Sequence, residues 1–166
     1  MSYNSFYLPP HFSQKISRTS KGFTSIELMV VLLIVIILSA LAAPSFSNLI
    51  ARQRTKSLAT DFYFALAKTR SEALKRNTNI TLAPISSSWQ NGWQILDASS
   101  NVLDTHGSIT GITISGAPST VVYQNSGRIV GTTAPSFLAT STSDASIQSC
   151  VSTTLNGRPY MKASSC

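Results

Sequence analysis

Glu27 stands immediately before sixteen uncharged residues, LMVVLLIVIILSALAA, from Leu28 to Ala43. A carboxylate in hydrocarbon costs a few kcal/mol by insertion scales, so an acid here calls for a cationic mate. A second group of chemically able residues lies near the C-terminus, where Arg158, Tyr160 and Lys162 alternate with Pro159 and Met161. On an extended strand the first three share one face and the other two take the opposite face. Such a basic, aromatic, basic stripe can neutralise phosphates and stack a base. The same side chains also read as solvated strand residues, and Arg128, behind Gly127, as a turn exit. Cys150 and Cys166 have fifteen residues between them and belong to no Cys-x-x-Cys or Cys/His array. One disulfide is the economical reading, two unrelated buried thiols the other. In an oxidising compartment the bridge would stabilise the tail by about 3 kcal/mol.

Enzyme chemistry gains nothing from the pattern. There is no Gly-x-Ser-x-Gly, no glycine-rich phosphate loop and no pair of histidines, since His11 and His106 stand apart. Asp97, Asp104 and Asp144 read as turn residues and His106 as a solvated loop residue. No catalytic residue, metal or cofactor is expected.

The 166 residues allow one domain of ordinary size and one appendage. Charged residues make up only 11% of the chain, and Ser, Thr, Asn and Gly are abundant after residue 77, which fits an exported β-rich domain. Counted from Phe23 the apolar segment has twenty-one residues, as a helix about 31 Å, enough to cross a bilayer core. Three readings compete for it. A secretory signal peptide would use Ala40-Leu41-Ala42 as its cleavage site; a plain single-pass anchor would leave the segment in place; neither explains Glu27. Basic residues flank both sides, Lys15, Arg18 and Lys21 before, Arg52, Arg54 and Lys56 after, so charge does not orient the span.

Beyond Pro44, which removes a helical hydrogen bond and bends or loosens the helix, the pattern turns amphipathic. Leu58, Phe62 and Leu66 recur every four residues with Ala59, Ala65 and Ala73 alongside, while charges fall elsewhere. Cap-forming residues end the helix near Asn77, so helical periodicity from Phe23 makes one element of roughly 80 Å. Strands are expected over 80–83, 92–96, 102–105, 112–115, 121–124, 128–130, 137–140, 147–152 and 158–162. Trp89 and Trp93 read as core aromatics before a ligand platform. The fold class is therefore α+β, a long N-terminal helix packed on a small antiparallel β-sheet head.

The third reading rests on Lys21-Gly22-Phe23-Thr24-Ser25-Ile26-Glu27-Leu28, which closely resembles the class III signal of type IV prepilins and pseudopilins. The resemblance implies that a prepilin peptidase cuts after Gly22 and N-methylates Phe23. It also implies that Glu27, fifth in the mature chain, meets the positive N-terminus of a neighbouring subunit during assembly. Ser25 stands where the family usually has an apolar residue. Within that class the head resembles the GspH/FimT family, through Trp89-Gln90-Asn91-Gly92-Trp93-Gln94-Ile95 with Asp97 beyond, Ser126-Gly127-Arg128, Phe137 and Asn156-Gly157-Arg158-Pro159. Some family members bind DNA through Gly-Arg-x-Arg; Gly157 and Arg158 match, and Tyr160 replaces the second arginine.

The implied organisation is a leader over 1–22, a membrane and filament-core helix over 23–43, an amphipathic helix over 44–78 and a periplasmic head over 79–166. The leader's removal takes three of the thirteen basic residues, leaving ten against six acidic, a net +4. That bias favours an anionic partner only weakly. The resemblance implies the inner membrane before assembly, then other minor and major pilins, with DNA as a further partner. A minor pilin of the FimU/FimT kind and a GspH-type pseudopilin of a type II secretion system share this plan. N-terminal sequencing of the mature protein is expected to start at Phe23; a start at Ala43 or an uncut Met1 would contradict the assignment.

Overall fold

The computed structural model describes residues 22–166, except for the side chains of residues 41–45. Expectations for the leader, including His11, Lys15, Arg18 and Lys21, and for the side chain of Pro44 lie outside the described residues. The backbone divides into two units, one ending at Ala40 and the other Leu41–Cys166, and helix α1, Ser25–Arg76, contributes to both.

In the first unit α1 opens on a cap. The Thr24 hydroxyl accepts a hydrogen bond from the Glu27 amide at 3.3 Å, which satisfies one of the free N–H groups of the first turn. Threonine followed three residues later by glutamate is the sequence pattern of a capping box. Every described side chain from residue 22 to residue 40 is exposed. Among the described residues no helix is long and apolar enough to cross a membrane. The side chains described in the first part of α1, residues 25–40, cover about 24 Å, whereas the expected span runs on to Ala43.

In the second unit α1 buries one stripe: Ala51, Thr55, Leu58, Ala59, Phe62, Ala65, Leu66, Thr69 and Ala73. The steps of three and four are those of a single helical face. Thr55 and Thr69 hold polar atoms within this stripe, and their hydroxyls donate back to the carbonyls of Ala51 (2.9 Å) and Ala65 (2.6 Å). The helix stops where expected. Asn77 takes a left-handed φ of 53°, and the Thr78 amide donates to the Ala73 carbonyl at 3.3 Å, closing a Schellman turn.

Eight strands follow: β1 Ile80–Ile85, β2 Ser88–Leu96, β3 Val102–His106, β4 Ile112–Ser115, β5 Val121–Tyr123, β6 Ser136–Ser141, β7 Gln148–Thr153 and β8 Pro159–Lys162. They form two four-stranded sheets, ordered β3-β2-β1-β5 and β4-β6-β7-β8, with antiparallel pairing throughout. The head is thus split where one sheet was expected. The segment 128–130 is not a strand: it makes one bridge, Tyr123 to Ile129. Its hydrogen bonds go to different neighbours, since the Ile129 amide donates to Leu155 and the Val130 amide to Val122. No ladder can extend from such divided pairing.

Phe62 is where the helix meets both sheets. Its ring stacks on Trp93 of β2, with centroids 4.1 Å apart, and on Phe137 of β6 at 4.7 Å. Trp89 completes the group edge-on to Phe137 at 4.9 Å, and its indole N–H donates to the Pro118 carbonyl at 2.7 Å. Both tryptophans are buried, as core residues are. His106 differs from expectation. It ends β3, stacks on Trp93 at 3.9 Å and lies 3.7 Å from the Asp61 carboxylate.

Candidate functional site

The two Gly-Arg pairs singled out in the sequence meet in space. Gly127 (φ +74°) and Gly157 (φ +79°) each occupy the left-handed region that glycine tolerates best. A Cβ on Gly157 would collide with the Gly127 carbonyl oxygen and approach Tyr123 Cε1 to 2.9 Å, so only glycine fits there. The Gly127 carbonyl also accepts from Arg70 Nε of α1 at 3.0 Å, and the Gly157 carbonyl accepts from the buried Tyr123 hydroxyl at 3.4 Å. Burial pushes the Tyr123 phenol well above its ordinary range, which keeps it a neutral donor.

The turn before β8 is closed by its own backbone. The Gly157 amide donates to the Thr154 carbonyl at 2.8 Å, the Thr154 amide to the Arg158 carbonyl at 3.0 Å, and the Arg158 amide to Thr154 Oγ1 at 3.2 Å. Arg158 leaves this turn exposed and, with Tyr63, Arg70 and Leu74 of α1, lines a cleft of about 320 Å³. Arg128 is exposed on the turn that carries Gly127. At the other end of β8, Lys162 Nζ lies 5.6 Å from the Tyr160 ring centroid and borders a second cleft, of about 460 Å³, with Arg52 and Lys56.

Tyr160 and Lys162 therefore share a side, as alternation required. Arg158 and Lys162, however, border different clefts. Met161 departs from expectation as well: it is exposed and lines the second cleft beside Lys162. β8 is the last strand of its sheet, and an edge strand is not obliged to bury an inner face. The Cys150–Cys166 disulfide ties the tail after β8 to β7.

Charge pairing separates the cations. Lys68 meets Asp104 at 2.8 Å, and Glu72 meets Arg76 at 2.6 Å and Lys75 at 3.9 Å. The Lys68 hydrogen bond holds Asp104 below the usual carboxylate range, and Arg76 does the same for Glu72. Asp104 is thus an ion-paired strand residue and not a turn residue. Asp97 and Asp144 do organise turns: Asp97 Oδ1 accepts from the Ser99 and Asn101 amides, Asp144 Oδ1 from the Ser146 amide. Asn101 and Ser146 respectively lower their pKa values. Among the described residues Arg52, Arg54, Lys56, Arg70, Arg128, Arg158 and Lys162 have no ion-pair partner. Arg52 and Lys56 were read as charges flanking the apolar segment and, with Arg70, as the polar face of the helix, and nothing local in the sequence announces which strand they meet.

At the other end of the described chain, Gly22 and Phe23 precede the helix and are exposed, and a Cβ on Gly22 would meet nothing within 4 Å. Glu27 is exposed among apolar neighbours and, among the described residues, has no ion-pair partner.

A long helix whose C-terminal half packs on antiparallel sheets is a pilin-like α+β fold. The family model described as type II transport protein GspH matches residues 58–157, and the chain belongs to that family. Among solved structures it is similar to the type IV minor pilin FimU of Pseudomonas aeruginosa, with 21% identity, a TM-score of 0.57, and coverage of 67% of this chain and 90% of that one. It is also similar to the minor pseudopilin EpsH of the type 2 secretion system of Vibrio cholerae, with 17% identity, a TM-score of 0.52, and coverage of 66% and 97%. No curated protein sequence gives a significant match.

Gly157→Ala combines a left-handed φ with a collision against the backbone, and urea denaturation should register a loss of more than about 3 kcal/mol. Gly116→Ala, at φ +67° but in open space, should cost only about 1 kcal/mol. Equal losses would show that the packing of the two Gly-Arg turns contributes nothing.

Proposed function

We propose that this protein is a minor pilin of a type IV pilus, built into the filament or its initiating tip complex and supporting pilus biogenesis and twitching motility. The observation that carries the reading is Glu27, a lone carboxylate in an otherwise apolar exposed helical surface. Gly22 and Phe23 stand exposed just before the Thr24 cap, where a prepilin peptidase would reach their peptide bond. In this reading residues 23–43 reside in the inner membrane before assembly, with the head in the periplasm. Cleavage and N-methylation at Phe23 then create the mature terminus. In the filament, the positive terminus of a neighbouring subunit supplies the mate for Glu27, and pairing two otherwise unsatisfied charges draws the subunit out of lipid and sets its register. The chemistry asked of the chain is assembly and not catalysis.

The likeness to EpsH supports a second reading, a GspH-type minor pseudopilin acting in a periplasmic pseudopilus. A third, DNA capture during natural transformation, draws on the Gly157-Arg158 turn with Arg128 beside it, and on Tyr160 and Lys162 along β8. Here phosphates would meet the arginines and a base would stack on Tyr160.

One strain set separates them. A deletion strain is complemented with wild type or with Arg158→Ala/Lys162→Ala and scored for piliation, twitching, DNA uptake and protein secretion. The expected result is loss of piliation and twitching on deletion, restored by both complements. Loss of secretion alone would establish the pseudopilin reading instead. If the double variant restores pili but not DNA uptake, with a weaker salt dependence of DNA retention, the DNA reading stands; equal uptake disposes of it.

A further inference from the structure

The cleft bordered by Arg52, Lys56 and Lys162 carries chemistry that assembly does not use. Arg52 and Lys56 stand one helical turn apart on α1, and Lys162 comes from the last residue of β8. All three are exposed, and no acidic residue lines the cleft, whose remaining polar wall comes from Thr55, Ser146, Gln148 and Ser149. The nearby Asp144 feels Arg52 only as the smallest contribution to its lowered pKa, its carboxylate being engaged by Ser146. Three cations are therefore gathered beside neutral polar groups, and among the described residues none of them has an ion-pair partner, an arrangement that suits an oxyanion.

What lies next to the cleft on the same helix selects the source of that oxyanion. Phe46, Leu49 and Ile50 are exposed, and the first charges follow within two turns, at Arg52, Arg54 and Lys56. Basic side chains that follow closely on exposed apolar ones stand where a helix leaving a bilayer meets the phosphates of the headgroup layer. Long basic side chains can reach back towards the interface while their stems stay on apolar surface.

We propose that this cleft binds the phosphate headgroup of an anionic phospholipid and seats the head on the membrane surface before the subunit enters a filament. The inference rests on the reading of residues 23–43 as a membrane span. It adds a second, releasable hold on the bilayer, one that a filament neighbour must displace.

The test uses the full chain in neutral detergent, titrated with short-chain phosphatidylglycerol, phosphatidylcholine of the same chain length, or inorganic phosphate. Phosphatidylglycerol should bind, more weakly as salt rises. The Arg52→Gln/Lys56→Gln/Lys162→Gln variant should lose about 100-fold in affinity, and Lys162→Gln alone about fivefold, which serves if the triple variant fails to fold. Lys75→Gln, whose ammonium lies beside Glu72, should bind as wild type. Unchanged affinity in the cleft variants, or equal binding of phosphatidylcholine, overturns the proposal. Inorganic phosphate binding as tightly as the lipid would overturn its lipid source. Membrane fractionation tests the span separately. A chain that binds phosphatidylglycerol in detergent but leaves the membrane fraction refutes the span; a membrane-bound chain without headgroup selectivity refutes the cleft.

Discussion

A run of large apolar side chains from Phe23 to Leu38 that stands exposed in the isolated chain is the constraint from which the rest follows. A helix surface apolar on every side is stable only against another apolar phase, and a hydrophobic bilayer and a bundle of like helices are the two that fit. Within that surface Glu27 is the exception, and it costs little in one phase only if a cation meets it there. Capping by Thr24 starts the helix just ahead of it, so the carboxylate lies in the first turn, where the helix dipole already favours a negative charge. On the proposed reading, the same residue that is tolerated at the start of a membrane helix becomes the register mark of an assembled one.

The C-terminal half of the same helix solves a different problem. Its buried stripe meets both sheets through Phe62, stacked between Trp93 and Phe137, so the two sheets are held to one spine and β8 is carried along its polar flank. Two tight turns then fix where the arginines emerge. The Gly127 carbonyl is held by Arg70 and the Gly157 backbone packs against it, which leaves Arg128 and Arg158 outside a rigid contact. Rigid glycine turns thus place exposed cations whose side chains have, among the described residues, no ion-pair partner to order them.

Much of this was legible in the residues because it depended on local period. The helix stripe of Leu58, Phe62 and Leu66, its end near Asn77 and most strands follow from spacing and turn chemistry, and the family resemblance was already carried by the glycines and tryptophans. Long-range geometry was not legible. Nothing in a list of short strands says that they divide into two sheets, and nothing around Arg128 shows that its neighbours bond in two directions. His106 looked solitary because Trp93 and Asp61, its partners, come from another strand and from the helix. The clefts were missed for the same reason: Arg52, Lys56 and Arg70 read as a solvated face until β8 is laid beside them.

Exchange of Glu27 is the most direct measurement of the central claim. Glu27→Leu and Glu27→Gln are expressed in a strain lacking the native copy, and the protein is quantified in sheared filaments and in the membrane fraction. Both variants should accumulate in the membrane and be depleted from filaments, because neither can pair with a neighbour's positive terminus. Incorporation of either variant at the wild-type level would contradict the account.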